Sequence, residues 1–391
     1  MTFEEIRELD GRYVVQSYGR FPVAIDHGQN ATLYDVDGKE YIDFASGIGV
    51  LSVGTANPRW QAAIGEQAAK LGHISNLYYS EPYIRLAEKL CTRSGMAAAF
   101  FANSGAEGNE GIIKLARKYS WEKYGQGRGT VITLNRSFHG RTITTLAATG
   151  QDIFHRYFFP FTEGFRRADP DIGSIRQAAG DDVCAVMVEL VQGEGGVLPL
   201  DPGFVRDLAM LCEDRDWLLL VDEVQTGVGR TGSLFCFQQY GIRPDAVSFA
   251  KGIAGGLPMG GFLVSEKCRG VFGPGDHAAT FGGNPVSAAA ACAVLDILDD
   301  ETIAQVKEKG GYLRTAIESM DLPCLGKTRG MGLMIGMEVK EGWSNKELCA
   351  RLNQAGVLSL TAGPGLRFLP PLTITREEMD KGLAVLKAAL S

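Results

Sequence analysis

Between about residues 58 and 285 the chain alternates helical text with short apolar runs, and this alternation restricts the fold more than any other feature. The runs are AAAFFA (97–102), TVITL (130–134), VCAVMVEL (183–190), WLLLVDE (217–223), AVSFA (246–250) and GGFLV (260–264). Each is long enough for a strand and too short for a helix. Continuous apolarity, rather than strict alternation, marks strands covered on both faces. Helical stretches separate them, among them EGNEGIIKLARKYSWEKY (107–124) and PGFVRDLAMLCEDR (202–215). The pattern predicts an α/β fold with a mostly parallel sheet between helical layers. Glycine supplies 50 of the 391 residues, well above the ~7% of an average protein. Many of these glycines sit in loops after the apolar runs, where such folds hold ligands.

The two ends read differently. Up to about Gly47 the chain reads as extended pieces. In TLYDVDGKEYIDF (32–44), Asp37-Gly38 marks a hairpin. Asp35 and Asp37 hint at a calcium loop, but its third carboxylate and its closing glutamate are missing, so a plain turn is expected. After NPVSAAAACAVLDILDD (284–300) a long helix leads into LMIGMEV (333–339), LRFLP (366–370) and a last helix from Arg376. Thr375 and Glu378 form a capping-box signature there, with Ile374 and Met379 at staple positions. The expected division is a large domain, 49–285, and a smaller α+β domain made from 1–48 and 286–391. At roughly 100–200 residues per domain the length suits two.

Charge and composition exclude several classes. The net charge of -7 carries no basic footprint for nucleic acid. The eight cysteines are scattered and form no C-x-x-C pair, so free thiols in a reducing compartment are expected. No two of the five histidines stand at ligand spacing, and no metal site is expected. There is no apolar run of membrane-spanning length and no signal-peptide core, which makes the cytoplasm the expected location.

Two motifs mislead. GVGRTG (227–232) matches the dinucleotide pattern, but DEVQT separates it from the preceding strand and TGSLF is a poor helix start. A nicotinamide oxidoreductase is therefore a minor alternative. GKT (326–328) lacks its phosphate-loop glycine, since Asp321 stands in that place. The remaining motifs converge. SGAE (104–107) follows a strand and opens a helix, and free N–H groups at a helix start suit a phosphate. FHGR (138–141) offers an aromatic face at Phe138 and a carboxylate fork at Arg141. Asp222 ends a very apolar strand, where a lone carboxylate wants a cation, and a protonated pyridine nitrogen would serve. Lys251, in FAKGIAGGLPMGG (249–261), stands between a strand end and a glycine-rich turn, where partial burial lowers a lysine pKa. Each motif alone is also explained by a capped helix, a surface loop, an internal ion pair or an exposed lysine.

Their order is more specific than any one of them. YIDFASGIGV, GHISNLYYSEP, NSGAEGNEGIIKLARKY, FHGRT, QGEGGV, DEVQTGVGRTG, AKGIAGGLPMGG, TFGGNP and LRFLPPL together resemble the class III aminotransferases, fold-type I pyridoxal-phosphate enzymes. GHISNLYYSEP looks more like their acetylornithine branch than their 4-aminobutyrate branch. The resemblance implies a seven-stranded-type, mainly parallel sheet in the large domain, pyridoxal 5'-phosphate as cofactor, and a homodimer. It implies that Lys251 carries the cofactor as a Schiff base and that Asp222 pairs with its ring nitrogen. Gln225 would bond the ring hydroxyl, and Phe138 and Val224 would sandwich the ring. Ser104, Gly105 and Ala106 would cradle the phosphate, with Thr280 reaching the neighbouring subunit's cofactor. Arg141 and Arg367 resemble the carboxylate anchors, and Glu194 the partner that releases Arg367 when 2-oxoglutarate arrives. The implied amino donor is N-acetyl-L-ornithine. Succinylornithine, succinyl-diaminopimelate, ornithine and 4-aminobutyrate are alternatives, and a non-catalytic binding protein on the same fold is a rival that retained Asp222 and Lys251 disfavour. Ala106 stands where threonine is common, and Leu190 where proline is.

Overall fold

A computed structural model describes all 391 residues. Its centre is a seven-stranded sheet. The order across it is Ala98–Ala102, Gly260–Val264, Ala246–Phe249, Leu218–Asp222, Val183–Val188, Thr130–Leu134 and Phe165–Ala168. Gly260–Val264 runs antiparallel to both neighbours, and the other six strands share one direction. The six apolar runs all became strands of this sheet. The seventh strand escaped the pattern because it lies at the edge, where FRRA leaves Arg166 and Arg167 in solvent.

Continuous apolarity has its expected cause. Along Leu218–Asp222 every residue is buried. Leu218 and Leu220 enter one core cluster with Ile112, Leu115 and Ala116 of the helix Gly105–Tyr124. Leu219 and Val221 point the other way, into the larger cluster that also holds Val205 and Leu208 of the helix Pro202–Arg215. Successive side chains face opposite sides of a strand, so a strand between two helical layers must be apolar at every position. The helix Gly105–Tyr124 lies close on the sheet because it carries glycines at the crossing. A β-carbon at Gly108 would come within 2.6 Å of the Gly261 carbonyl oxygen, and one at Gly111 within 2.3 Å of the Phe262 ring.

The chain ends meet. Ile25–Gln29, Thr32–Asp35 and Glu40–Asp43 form a sheet completed by Val357–Leu358, which is parallel to Glu40–Asp43. The expected hairpin turn is there, with Gly38 at φ +80° and the Asp35 carboxylate accepting from Asp37 and Lys39 N–H. Leu325–Met331, Met334–Val339, Gly365–Phe368 and Leu360–Ala362 form a separate antiparallel sheet. Gly326–Thr328 lies inside its first strand, not in a phosphate loop. The last helix, Arg376–Leu390, has the predicted capping box at Thr375 and Glu378. The Glu378 carboxylate also accepts from Ala31 N (2.9 Å) and Asn30 Nδ2 (2.6 Å), latching the N-terminal segment to this cap.

One local expectation needs correction. The N-terminus is not wholly extended, since Phe3–Tyr13 is a helix with a capping box from Thr2 and Glu5. That T-x-x-E signal was in the sequence, although the helix buries no side chain. Residues 284–300 hold the helix Pro285–Ile297, and the long helix expected after them is Asp300–Ser319, capped by Asp299. At Ser104, only half of a capping box forms. Ser104 Oγ accepts from Glu107 N, while the Glu107 carboxylate reaches one residue further, to Asn103 N at 2.9 Å. No helix is long and apolar enough to cross a membrane.

Candidate active site

Five strands deliver residues to one cavity at the carboxyl edge of the sheet. Ser104 follows Ala98–Ala102, Phe138 follows Thr130–Leu134, Glu189 follows Val183–Val188, Asp222 ends its strand, and Lys251 follows Ala246–Phe249. This is where ligands bind in open α/β sheets. The cavity holds about 320 Å³ and is lined by Ser104, Gly105, Ala106, Phe138, Asp222, Val224, Gln225, Lys251 and Glu194, with Val50, Asn109, His139 and Glu189 among their neighbours.

At its floor Asp222 is buried, and its carboxylate is held from several sides. Oδ2 accepts from Asn109 Nδ2 at 2.7 Å and from His139 Nδ1 at 2.8 Å. A carboxylate has no proton to give, so the imidazole must carry hydrogen on Nδ1. Oδ1 accepts from Val224 N at 3.0 Å, with Ser248 Oγ at 3.5 Å. The internal partner weighed from the sequence is thus a histidine and an amide, hydrogen-bonded to the carboxylate. Asn109 Nδ2 also donates to the His139 carbonyl at 2.7 Å, which fixes the loop carrying Phe138. Glu189 accepts from Phe138 N at 2.8 Å, and burial raises its pKa against the pull of His139.

Sequence reading missed Asn109, His139 and Glu189. Asn109 had a signal, because it falls on the helix face that also buries Ile112 and Ile113. A buried amide on such a face needs partners. His139 was visible only as part of a loop motif, and Glu189 only as the end of an apolar run.

The opposite wall is the start of the helix Gly105–Tyr124. Ser104 caps it, and the first-turn N–H groups of Gly105 and Ala106 lie among the lining residues. A β-carbon at Gly105 would come within 2.6 Å of a Val224 methyl, so glycine here lets Val224 close over the cavity. Lys251 opens the short helical turn Lys251–Ala254 with φ at +47°, the left-handed region that lysine rarely adopts. Such strain costs on the order of 1–3 kcal/mol and persists only where the surroundings impose it. Burial pulls the Lys251 pKa below its ordinary value. Glu194, Asp222 and Glu189 oppose that pull, and Arg367 reinforces it.

At the edge of the cavity Arg367, 2% exposed and carried by the strand Gly365–Phe368, stands behind the lining residues Glu194 and Gln225. Its Nη1 donates to Glu194 Oε1 at 2.7 Å and to Gln225 Oε1 at 3.0 Å. Burial would raise the Glu194 pKa, but the Arg367 charge and hydrogen bond override it and hold the carboxyl below its usual range.

Besides Arg367, two predicted residues are not among those lining the cavity. Arg141 is exposed beside it, with its guanidinium 5.5 Å from the centre of the Phe138 ring and 4.3 Å from that of Phe154. Thr280 is exposed and outside the cavity lining, next to Phe281. Asn76 Nδ2 ties its own segment to this loop by donating to Gly282 O at 2.9 Å. Leu77, Tyr78, Tyr79 and Phe281 there are 88%, 67%, 95% and 61% exposed, an apolar surface of the kind that a protein partner covers.

Residues 13–390 match the family described as aminotransferase class-III. The chain is a class III aminotransferase. It is 50% identical to an acetylornithine aminotransferase of Haemophilus ducreyi over the full length of both chains. Among solved structures it resembles the ornithine aminotransferase of Toxoplasma gondii, with TM-score 0.95 and 32% identity over 100% of this chain and 95% of that one. It also resembles the N-acetylornithine aminotransferase of Stenotrophomonas maltophilia, with TM-score 0.84 and 36% identity over 98% and 97%. The family depends on pyridoxal phosphate, and this aminotransferase is a pyridoxal-phosphate enzyme. Its residues fit that group. A buried carboxylate faces the cavity, a lysine with lowered pKa stands across from it, and a capped helix start offers free N–H groups. The GVGRTG motif has another use, because no helix opens at Gly232 and Arg230 turns inward to donate to the Leu333 and Pro370 carbonyls.

Proposed function

We propose that this aminotransferase moves the δ-amino group of N-acetyl-L-ornithine to 2-oxoglutarate, giving N-acetylglutamate semialdehyde and L-glutamate, a step of arginine biosynthesis. The Glu194–Arg367 pair carries the reading. One site must accept two unlike molecules in turn. N-Acetylornithine presents a δ-amine at the end of an apolar chain, with one distant carboxylate. Glutamate presents an α-amine with a carboxylate beside it and a second at the far end. A bare arginine facing the methylene chain of the first would be a desolvated, unmatched charge. Glu194 neutralises it, and the carboxylate of the second substrate takes Glu194's place. Arg141, free of carboxylate partners at the mouth, takes the distant carboxylate of either molecule. Its fork geometry suits that contact.

Pyridoxal phosphate, when bound, supplies an electron sink for the carbon that loses its proton. The chain's own residues do the rest. Asp222, held by Asn109 and His139, keeps a negative charge where the ring nitrogen would sit and so favours its protonated form. Gly105 and Ala106 N–H groups, with Ser104, would bind the phosphate, and Phe138 and Val224 would hold the ring. Gln225 bonds the ring hydroxyl. Lys251 carries the cofactor and moves the proton at the substrate carbon, work that needs a neutral amine and so benefits from its lowered pKa.

The working form is a homodimer, in which the exposed surface around Thr280 and Tyr79 is buried and Thr280 serves the cofactor of the neighbouring subunit. Residues 1–48 and 286–391 act as one small domain that carries Arg367 to the large one. The enzyme works in the cytoplasm. Initial rates across N-acetylornithine, N-succinylornithine, ornithine, succinyl-diaminopimelate and 4-aminobutyrate test the donor assignment. The highest kcat/KM falls on N-acetylornithine, and a clear preference for an unacylated donor would overturn the reading.

A further inference from the structure

Arg141 is unusual among the charged residues around this site. It has no ion pair and no hydrogen bond to protein, and its described contacts are two aromatic faces. The nearer face is Phe154, at 4.3 Å, which the function described so far does not use. Phe154 in turn meets Phe138 edge-on, with ring centres 5.5 Å apart and planes at 73°. The three side chains make a stack at the mouth of the cavity, with the guanidinium on top.

Phe154 is well placed to hold something still. It closes the short turn Asp152–Phe154. Gln151 Nε2 donates to the Ser137 carbonyl at 3.1 Å just before that turn, and His155 Nε2 lies 2.8 Å from the Leu146 carbonyl just after it. Arg167 pairs with Asp152 at 2.6 Å. The ring is therefore fixed at both ends of its turn, while Arg141, with four rotatable bonds and no polar partner, is not.

We propose that Phe154 is a positioning residue that fixes the Arg141 fork for a substrate carboxylate, and so helps set the preference for carboxylate-bearing donors. The inference rests on the role given to Arg141 above. A guanidinium stacked on an aromatic ring keeps its in-plane N–H groups free, so the stack orients the fork without using the donors that the carboxylate needs. A clamp of hydrogen-bond acceptors would consume them. Holding the fork in place before binding spares the entropy of ordering a long side chain when the substrate arrives.

The test is a double-mutant cycle on the holoenzyme, read by calorimetric binding of N-acetylnorvaline, which carries the acyl group and carboxylate but no δ-amine. Phe154→Leu keeps an apolar side chain of similar reach and removes the ring. It weakens binding about tenfold, whereas Phe154→Tyr, which keeps the ring, stays within about twofold of the native enzyme. In an Arg141→Ala background Phe154→Leu has no further effect. The melting temperature and the pH dependence of cofactor absorbance stay unchanged in Phe154→Leu, which separates positioning from a collapse of the Phe138 wall. Native-like binding by Phe154→Leu, or an equal loss in the Arg141→Ala background, would overturn the proposal. If the native enzyme ignores N-acetylnorvaline, the donor assignment has failed instead, and the same cycle with glutarate, the diacid skeleton of the acceptor, decides the role of Phe154.

Discussion

The floor and the rim of the cavity are built on opposite plans. At the floor Asp222 is held from several sides, its two oxygens accepting from Asn109, His139 and Val224. At the rim, charges have replaceable partners or none. Arg367 has one carboxylate, which a substrate can displace, and Arg141 has only aromatic faces. The floor performs the same task in both half-reactions, so rigidity costs nothing there and preorganises charge. The rim must recognise two different molecules, so its charges must be able to change partners. Fixed chemistry and exchangeable recognition thus share one cavity.

Substitutions at the floor have the largest expected effects. Lys251→Ala abolishes the borohydride-reducible cofactor linkage, and mass spectrometry of the reduced protein checks this. An adduct on another lysine would break the assignment. Asp222→Asn keeps cofactor bound but lowers turnover by several orders of magnitude in both half-reactions alike, because a neutral amide does not favour the protonated ring nitrogen. A loss confined to one half-reaction would erase the distinction between floor and rim.

A rim effect is smaller and depends on pH. Glu194 lies below its ordinary value of 4.5 in the folded protein. A lowered carboxyl pKa contributes stability that is present above the ordinary value and lost as pH falls through the lowered one. The melting temperature of Glu194→Gln therefore lies below that of the native enzyme at pH 7, and the gap closes on acidification past that range. A constant gap would show that the pair adds nothing through its charge. The smallest effect comes from neither region. Thr375→Ala removes a helix cap far from the cavity and costs about 1 kcal/mol in chemical denaturation, with both half-reactions unchanged.

The same contrast governs what the sequence made legible. The sheet could be read because strands covered on both faces are apolar along their buried length, as Leu218–Val221 is. The edge strand Phe165–Ala168 could not, because one side of it faces water. Lys251, Asp222 and the helix start at Ser104 stood out because strand ends and glycine turns mark them along the chain. Asn109, His139 and Glu189 did not. Their importance lies in contacts across the fold, 113 positions apart for Asn109 and Asp222 and 83 for His139 and Asp222, and no local pattern encodes such a meeting. The Glu194–Arg367 pairing, 173 positions apart, was available only through the family resemblance. Phe154 was hidden among the aromatic residues of FHRYFFPF, where nothing local distinguishes it from its exposed neighbours Tyr157 and Phe159.

The exchange of partners at Arg367 is the central claim, and single-turnover kinetics measured separately with N-acetylornithine and with glutamate tests it most directly. Glu194→Ala slows the N-acetylornithine half-reaction by about 100-fold or more and leaves the glutamate half-reaction much less affected, while Arg367→Ala does the reverse. Equal losses in both half-reactions for both variants would contradict the account and leave the pair as a structural support.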